Sequence, residues 1–260
     1  MEVRSVLVGG RAVRWRVAGG GAPLVCVHGL AGSWRWWRAV VPRLAAAREV
    51  HLVDLPRFAS LARGRAGDAA DWLVAWLAAS ELDRPVLVGH SLGGLLVAQA
   101  AGRTQLERLV LVDPAGVPTG RGLGEELLAL VGTVRAVRPS FLVTLTGDAA
   151  RWGPRSLYGG ARYALATDLT PDLARIATPT LVVWGARDHL VPARLAETWR
   201  DTIPGARLVV LPHAAHVPMI ESPTAFADAV LEFLDEPRDE PSVRPVDGVG
   251  AGDDADAVGA

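Results

Sequence analysis

The chain of 260 residues lacks lysine and asparagine altogether and contains a single cysteine. All 27 basic residues are therefore arginines, a bias that we attribute to genome composition, so we interpret no single arginine as an anion ligand. The lone Cys26 excludes a disulfide within the chain. Its position in the apolar run LVCVHG predicts a buried and unreactive thiol.

Strong net charge and long apolar runs are also absent. The formal net charge is −1, which gives no basic surface for nucleic acid. No stretch approaches the ~18 consecutive apolar residues of a membrane span. The first residues, MEVRSVLVGGRAVRWRV, lack the apolar region of a signal peptide. These absences predict a cytoplasmic protein without a membrane span or a nucleic-acid partner, and they leave the oligomeric state open.

Short apolar runs bounded by turns alternate along the chain with amphipathic helical patterns. Because the later runs are almost continuous Val and Leu, they predict strands that are covered on both faces. The predicted strands are residues 12–18, 23–28, 49–55, 85–90, 108–113, 180–185 and 207–212. The predicted helices are residues 34–47, 68–80, 92–102, 192–201 and 223–235. The alternation predicts an α/β fold with a mostly parallel central sheet and helices on both faces.

The alternation is interrupted once, between the fifth and sixth of these strands. Residues 117–172 show no strand pattern, and Leu127, Leu128, Val131 and Val134 form an apolar helical face. We interpret this segment as a helical lid inserted over one end of the sheet, although packing onto the core is an alternative. Residues 1–116 and 173–236 are then the two parts of the core. Residues 237–260, rich in Pro, Gly and acidic side chains, are expected to form a disordered tail.

In the stretch VLVGHSLGGLLVAQA, residues 86–100, Ser91 has a glycine two positions before it and another two positions after it. With 28 glycines among 260 residues, chance alone gives roughly 0.1 such matches, so the pattern needs its context. That context is a strand followed directly by a helix, which predicts a strained turn that exposes Ser91. We expect Gly89 and Gly93 to relieve crowding at the Ser91 Cβ. The N–H of Leu92 points toward the same space.

Serine needs a base, and the chain offers one beyond another strand. His213 and His216 lie in LPHAAHVPMIESP after the last predicted strand, and Asp188 follows the strand before it. The order serine, acid, histidine, each beyond a separate strand end, is typical of one fold. His213 is an alternative base, and Asp113, which follows another strand, is an alternative acid.

These motifs resemble the α/β-hydrolase fold superfamily over most of residues 10–235. The resemblance rests on GHSLGG, GARD, HGLAGS and HVPMIESP. It implies that Ser91, Asp188 and His216 form a catalytic triad. It also implies that the backbone N–H groups of Leu30 and Leu92 form the oxyanion hole. The chain departs from the family pattern in DLPRFAS, where Arg57 and Ala59 replace glycines, so the shape of that loop is open.

The resemblance implies an enzyme that needs no cofactor and no metal. We expect a serine hydrolase that cleaves a small to medium hydrophobic carboxylic ester, because an apolar lid and three tryptophans accompany the site. Trp34, Trp36 and Trp37 are equally consistent with core packing. The alternatives are a carbon–carbon bond hydrolase of aromatic ring-cleavage products, a perhydrolase, or a ligand-binding receptor on the same fold.

Overall fold

A computed structural model of the chain describes residues 1–61, 69–121, 125, 128–129, 133 and 139–237. Eight strands form one sheet in the order β1-β2-β4-β3-β5-β6-β7-β8. The strands are β1 (Glu2–Val8), β2 (Arg11–Ala18), β3 (Pro23–Val27), β4 (Glu49–Val53), β5 (Val86–His90), β6 (Leu109–Val112), β7 (Thr180–Gly185) and β8 (Arg207–Leu211). Strand β2 is antiparallel to both neighbours, and every other pair is parallel. The predicted fold class is confirmed.

The described part of the chain also contains a 3-10 turn (Trp34–Trp37) and ten α-helices, eight between the strands and two after β8. The helices are α1 (Val41–Leu44), α2 (Phe58–Leu61), α3 (Ala69–Ala79), α4 (Leu92–Ala101), α5 (Pro139–Trp152), α6 (Pro154–Ala166), α7 (Thr170–Leu173), α8 (Leu195–Thr202), α9 (Pro218–Glu221) and α10 (Pro223–Asp235). Among the described residues, none of the helices combines the length and the apolar character that a membrane crossing requires.

The sheet has an apolar core on each face. Alternate residues of β3 supply them: Val25 and Val27 pack into one core, and Leu24 and Cys26 pack into the other. Burial on both faces explains why the central strands are continuously apolar. Cys26 is fully buried, and burial raises the pKa of its thiol, as expected of a structural cysteine.

The structure departs from the predicted elements at the first strand and in the first helix. Strand β1 was not predicted, because it lies at the sheet edge, where polar and exposed apolar residues are mixed and no continuous apolar run forms. The segment 34–47 was predicted as one helix but contains the 3-10 turn and then α1. Pro42 lies in the first turn of α1, where its missing N–H is tolerated and where it prevents a helix from continuing through.

The insertion between β6 and β7 contains α5, α6 and α7. Leu128 is 72% exposed, so it does not belong to the buried apolar face that we expected. The other members of that face, Leu127, Val131 and Val134, lie outside the described residues, as does the predicted tail from residue 238 onward. The lid and its bounds stay a prediction.

Candidate active site

Ser91 occupies the turn between β5 and α4. Its backbone has φ 52° and ψ −116°, a conformation that residues other than glycine rarely adopt. The surrounding backbone holds this strain: the Ser91 N–H donates to the Val112 carbonyl over 2.9 Å. The Ser91 carbonyl accepts from the N–H groups of Leu95 (3.0 Å) and Ala115 (3.1 Å). The predicted strained turn is present.

The two glycines that flank this turn have a different purpose from the one expected. A Cβ on Gly93 would lie 2.4 Å from the Val27 carbonyl oxygen and 2.6 Å from the His28 carbonyl oxygen. A Cβ on Gly89 would lie 2.5 Å from the Gly93 carbonyl oxygen. For Gly93 the nearest atoms are backbone, and for Gly89 the nearest atom is the Val97 Cγ2 at 2.4 Å. Neither Cβ would therefore meet the Ser91 Cβ first. Both glycines permit α4 to approach the ends of β3 and β5.

His216 lies between the serine and an acid. Its Nε2 is 3.1 Å from the Ser91 Oγ, and its Nδ1 is 2.7 Å from Asp188 Oδ2. Because the carboxylate only accepts, Nδ1 carries the ring proton and Nε2 presents its lone pair to the serine hydroxyl. His216 and Asp188 are 5% and 6% exposed, so the pair is shielded from water. The structure thus brings together the three residues that the sequence assigned to a triad.

Backbone donors hold the acid in place. Asp188 Oδ1 accepts from the N–H groups of Leu190 at 2.8 Å and Val191 at 3.0 Å. The other oxygen, Oδ2, is left for His216. Three hydrogen bonds therefore fix the position and orientation of this carboxyl group.

Neither the alternative base nor the alternative acid takes the place that the sequence allowed for it. His213 is exposed and lies three residues before the buried His216. Asp113 is fully buried beside the triad, but its Oδ1 accepts the N–H of Gly185 at 2.9 Å. The proton of the His216 ring faces Asp188, not Asp113.

The loop after β3 lies directly against the serine turn. A Cβ on Gly29 would be 2.8 Å from His90 Nδ1 and 3.1 Å from the Ser91 Cβ, so only glycine permits this approach. The N–H groups of Leu30 and Leu92 have no acceptor within the described residues. Two free donors beside a nucleophile suit an oxyanion hole, and that role stays a prediction for both.

His28 holds the loop after β3 in place through hydrogen bonds of its ring. It is fully buried; its Nδ1 donates to the Gly29 carbonyl over 2.8 Å, and its Nε2 accepts the Leu55 N–H over 3.0 Å. Burial lowers the pKa of His28, and the nearby Asp54 only partly opposes this effect. The ring is therefore neutral, and it links the loop after β3 to the loop after β4.

Two supporting residues were missed as site residues by the sequence analysis. His90 Nε2 donates to the backbone carbonyl of His216 over 2.6 Å, which ties the base to the residue next to the nucleophile. Glu221 Oε2 accepts from the N–H groups of Ala215 (2.6 Å) and Val217 (3.2 Å), on either side of His216. The pattern His-x-Pro-x-x-Glu, which begins at His216, could have identified Glu221. No sequence pattern pointed to His90 as a supporting residue.

Helices α5 and α6, which we call the cover helices, lie over the loop after β3. On α6, a Cβ at Gly160 would be 2.5 Å from Leu30 Cδ1 and 3.6 Å from Leu92 Cδ2. On α5, the Trp152 Nε1–H donates to the Gly32 carbonyl over 3.0 Å. The insertion therefore packs against both residues whose N–H groups are the expected oxyanion donors.

A buried carboxylate fastens α5 to the same loop. Asp148 is 1% exposed and accepts from the Ser33 hydroxyl at 2.6 Å. It also pairs with Arg35 (3.2 Å) and with Arg151 (3.0 Å).

Of the three tryptophans in the 3-10 turn, two are buried and one is partly exposed. Trp36 and Trp37 are buried in the core, where Trp36 contacts Phe141 with ring centroids 5.3 Å apart. Trp34 is partly exposed, and the Arg16 guanidinium lies 4.2 Å from its ring centroid. Packing, not a pocket wall, accounts for Trp36 and Trp37.

The loop in which Arg57 and Ala59 replace glycines leads into α2. Its Phe58 contacts Trp152 and Tyr163 on the cover helices, with ring centroids 6.0 Å and 5.6 Å apart. This loop therefore borders the covered side of the site.

Asp113, Asp188 and His216 place possible cation ligands within 4.8 Å of one another. The direct hydrogen bond between His216 and Asp188 already accounts for that pair without an ion. A cavity of about 390 Å³ lies elsewhere, beside Gln99 and Arg103 among others, and none of the triad residues lines it.

The fold and site define an α/β hydrolase. The model of the alpha/beta hydrolase family matches residues 24–229, and the chain belongs to this family. It is an enzyme of the hydrolase class, as the sequence predicted.

One curated relative is the pimeloyl-[acyl-carrier protein] methyl ester esterase of Edwardsiella ictaluri. It is 32% identical over 257 residues, which cover 86% of this chain and 98% of the relative.

Two solved structures are also similar. A hydrolase from Pseudomonas aeruginosa has a TM-score of 0.71 and 27% identity, and the match covers 90% of this chain and 98% of that one. A meta-cleavage product hydrolase from Pseudomonas fluorescens has a TM-score of 0.70 over 89% of this chain and 97% of that one. At 21% identity, the second likeness concerns the fold alone.

Proposed function

We propose that this protein is a serine hydrolase that cleaves a small to medium hydrophobic carboxylic ester through an acyl-enzyme. The contact chain from Ser91 Oγ to His216 and on to Asp188 carries the proposal, with distances of 3.1 Å and 2.7 Å. Serine hydroxyls are poor nucleophiles alone, and a neutral imidazole held at this distance is the base that they require.

Acylation begins when the Ser91 oxygen attacks the ester carbonyl carbon and His216 Nε2 takes its proton. The imidazolium that forms is stabilised by the Asp188 carboxylate. The N–H groups of Leu30 and Leu92 stabilise the oxyanion, and loss of one such donor lowers kcat by about 10²–10³ in other enzymes. His216 then returns the proton to the leaving alcohol, and the acyl group remains on Ser91.

Deacylation repeats these steps with water. His216 takes a proton from a water molecule that attacks the acyl carbon, and the second tetrahedral intermediate collapses to release the acid. The proton returns to Ser91 Oγ. Every step uses groups of this chain, the ester and water.

The surroundings of the site support an apolar acyl group. Leu30 and Leu92 pack beneath α6, and the aromatic rings of Phe58, Trp152 and Tyr163 line the contact between the cover helices and α2. Because the relative from Edwardsiella ictaluri is named for a methyl ester, esters of small alcohols are the first substrates to test. We propose that the enzyme acts in the cytoplasm.

Hydrolysis of chromogenic esters of rising acyl length tests this function. We expect activity with an optimum at one length, and a loss of at least about 10³-fold in Ser91→Ala. Ser140→Ala, at an exposed serine on α5, is the matched control and should keep full activity.

Two outcomes would overturn the proposal. Activity that survives in Ser91→Ala would remove the nucleophile. Turnover of aromatic ring-cleavage products by a wild-type enzyme that hydrolyses no ester would establish the carbon–carbon hydrolase instead.

A further inference from the structure

Asp113 lies behind the triad, directly after β6, with no exposed surface. Its backbone has φ 41°, a left-handed conformation that Asp and Asn tolerate better than most residues. Its Oδ1 accepts the N–H of Gly185 over 2.9 Å. Gly185 is the last residue of β7 and stands three positions before Asp188. Asp113 therefore contacts the base of the loop that carries the acid.

Asp113 lies beside a second buried carboxyl group, that of Asp188. Asp113 Oδ2 is buried and meets no N–H or O–H donor of the described residues. One carboxylate oxygen of Asp113 lies within 4.8 Å of an oxygen of Asp188 and of a ring nitrogen of His216. Two ionised carboxylates in such a buried site repel strongly, so one of them carries a proton.

The hydrogen-bond pattern decides which carboxyl group holds that proton. Asp188 accepts hydrogen bonds from two backbone N–H groups and from the Nδ1–H of His216, so three donors face its two oxygens. Asp113 accepts only the Gly185 N–H. Burial, then the charge of Asp188, and to a smaller extent that of Glu221, raise the pKa of Asp113 well above its usual range.

We propose that Asp113 is a neutral carboxyl group that donates a hydrogen bond from Oδ2 to the Asp188 carboxylate, as a positioning residue for the acid of the triad. The pair then carries a single negative charge, and Asp188 is held from behind while it binds His216. Asp113 is thus a partner of the acid and not a substitute for it. The contact itself does not depend on the proposed function; only its role in catalysis rests on that function.

Asp113→Asn tests the protonation state without any assay of activity. The asparagine amide keeps an acceptor for Gly185 and a donor for Asp188, but it binds no proton. In the unfolded chain Asp113 ionises above pH ~3.9, whereas in the folded protein it stays protonated. The stability that comes from this raised pKa is complete below the unfolded pKa and is lost as pH rises toward the folded pKa.

Urea unfolding of wild type and Asp113→Asn between pH 5 and pH 8 is therefore the measurement. We expect the ratio of their unfolding constants to change about tenfold per pH unit, with wild type losing stability relative to the variant as pH rises. Asp172→Asn, at an exposed carboxyl group, is the matched control and should give a ratio that is flat with pH. A flat ratio for Asp113→Asn would mean that folded Asp113 is ionised, and it would overturn the proposal.

Ester hydrolysis by Asp113→Asn and by Asp113→Leu tests the positioning role. Asp113→Asn preserves a donor to Asp188 and Asp113→Leu removes it, so kcat should fall about tenfold further in Asp113→Leu than in Asp113→Asn. Asp188→Asn should lose about 10⁴-fold, as at triad acids elsewhere. Equal kcat values for Asp113→Leu and Asp113→Asn would show that Asp113 does not position the acid and would overturn the proposal. A loss in Asp113→Asn as large as in Asp188→Asn would assign the acid to Asp113 and overturn the proposal. If wild type hydrolysed no ester, the proposed function would fail while the unfolding experiment still decided the state of Asp113.

Discussion

The serine turn and the cover helices meet at Leu30 and Leu92, but different contacts hold them. At the turn, backbone lies against backbone: α4 approaches β3 so closely that a Cβ on Gly93 would touch the Val27 carbonyl oxygen at 2.4 Å. The cover is attached by side chains, of which the buried Asp148 and the Trp152 indole are the polar ones toward the loop after β3.

This difference separates two properties of the site. Backbone packing fixes the position of Ser91 within a dense core, where side-chain substitutions elsewhere on the surface have little influence. The cover depends on a few hydrogen bonds and ring contacts, so single substitutions can loosen it. The position of the nucleophile is therefore expected to be robust, and the shape of the covered side adjustable.

A methyl group added to each region gives the largest expected contrast. Gly93→Ala places a Cβ against strand backbone that cannot move, and we expect a loss of about 3 kcal/mol in unfolding free energy together with most activity. Gly147→Ala on α5 has no atom within 4 Å of the new Cβ. Because alanine favours helix, Gly147→Ala should gain about 0.5–1 kcal/mol.

Urea unfolding of both glycine variants, with ester hydrolysis alongside, is the check. Equal stability of Gly93→Ala and wild type would show that the turn yields easily, and the contrast between the two regions would be lost.

Removal of the Asp148 carboxylate tests the polar attachment of the cover. Asp148→Ala leaves the Ser33 hydroxyl without its acceptor and separates Arg35 and Arg151 from their shared partner. We expect a loss of about 2 kcal/mol in unfolding free energy. We also expect a fall of about tenfold in kcat/KM, because the loop that carries Leu30 is freed.

Asp172→Ala is the matched control for Asp148→Ala. It breaks an exposed pair with Arg175 and should change stability by less than about 0.5 kcal/mol. If Asp148→Ala behaved like this surface variant in both melting temperature and kcat/KM, the carboxylate would not fasten the cover.

The sequence predicted the parts of the fold that depend on apolar pattern. All seven predicted strands are present, and the central ones, which are buried on both faces, have an uninterrupted apolar signal. Strand β1 left little signal, since at the edge it exposes most of its residues. The family motifs, each at the end of a strand, identified the residues that the structure brings together around Ser91.

The supporting contacts of the site could not be predicted in the same way. Asp113 was considered only as a rival acid, because the type of a residue does not reveal which carboxyl group holds a proton. That state depends on how many donors face each oxygen, and those donors come from β7 and the loop after it. Similarly, the link between Asp148 and Ser33 joins residues 115 positions apart, beyond the reach of local pattern.

The smallest effect that we predict concerns His90, next to the nucleophile. Its Nε2–H donates to the carbonyl of His216, and its ring lies 4.9 Å from the His216 ring and 5.7 Å from that of Trp36. Burial lowers the pKa of His90 well below its usual range, so the ring stays neutral and its single N–H is committed to His216.

His90→Phe keeps the ring contacts and removes this donor, so the loop that carries His216 should loosen. We expect kcat to fall about fivefold with KM unchanged, which corresponds to about 1 kcal/mol for one hydrogen bond. His90→Gln, whose amide restores a donor, should recover part of the loss. A KM effect with unchanged kcat, or no difference between the Phe and Gln variants, would mean that His90 only fills space and that backbone packing alone positions both Ser91 and its base.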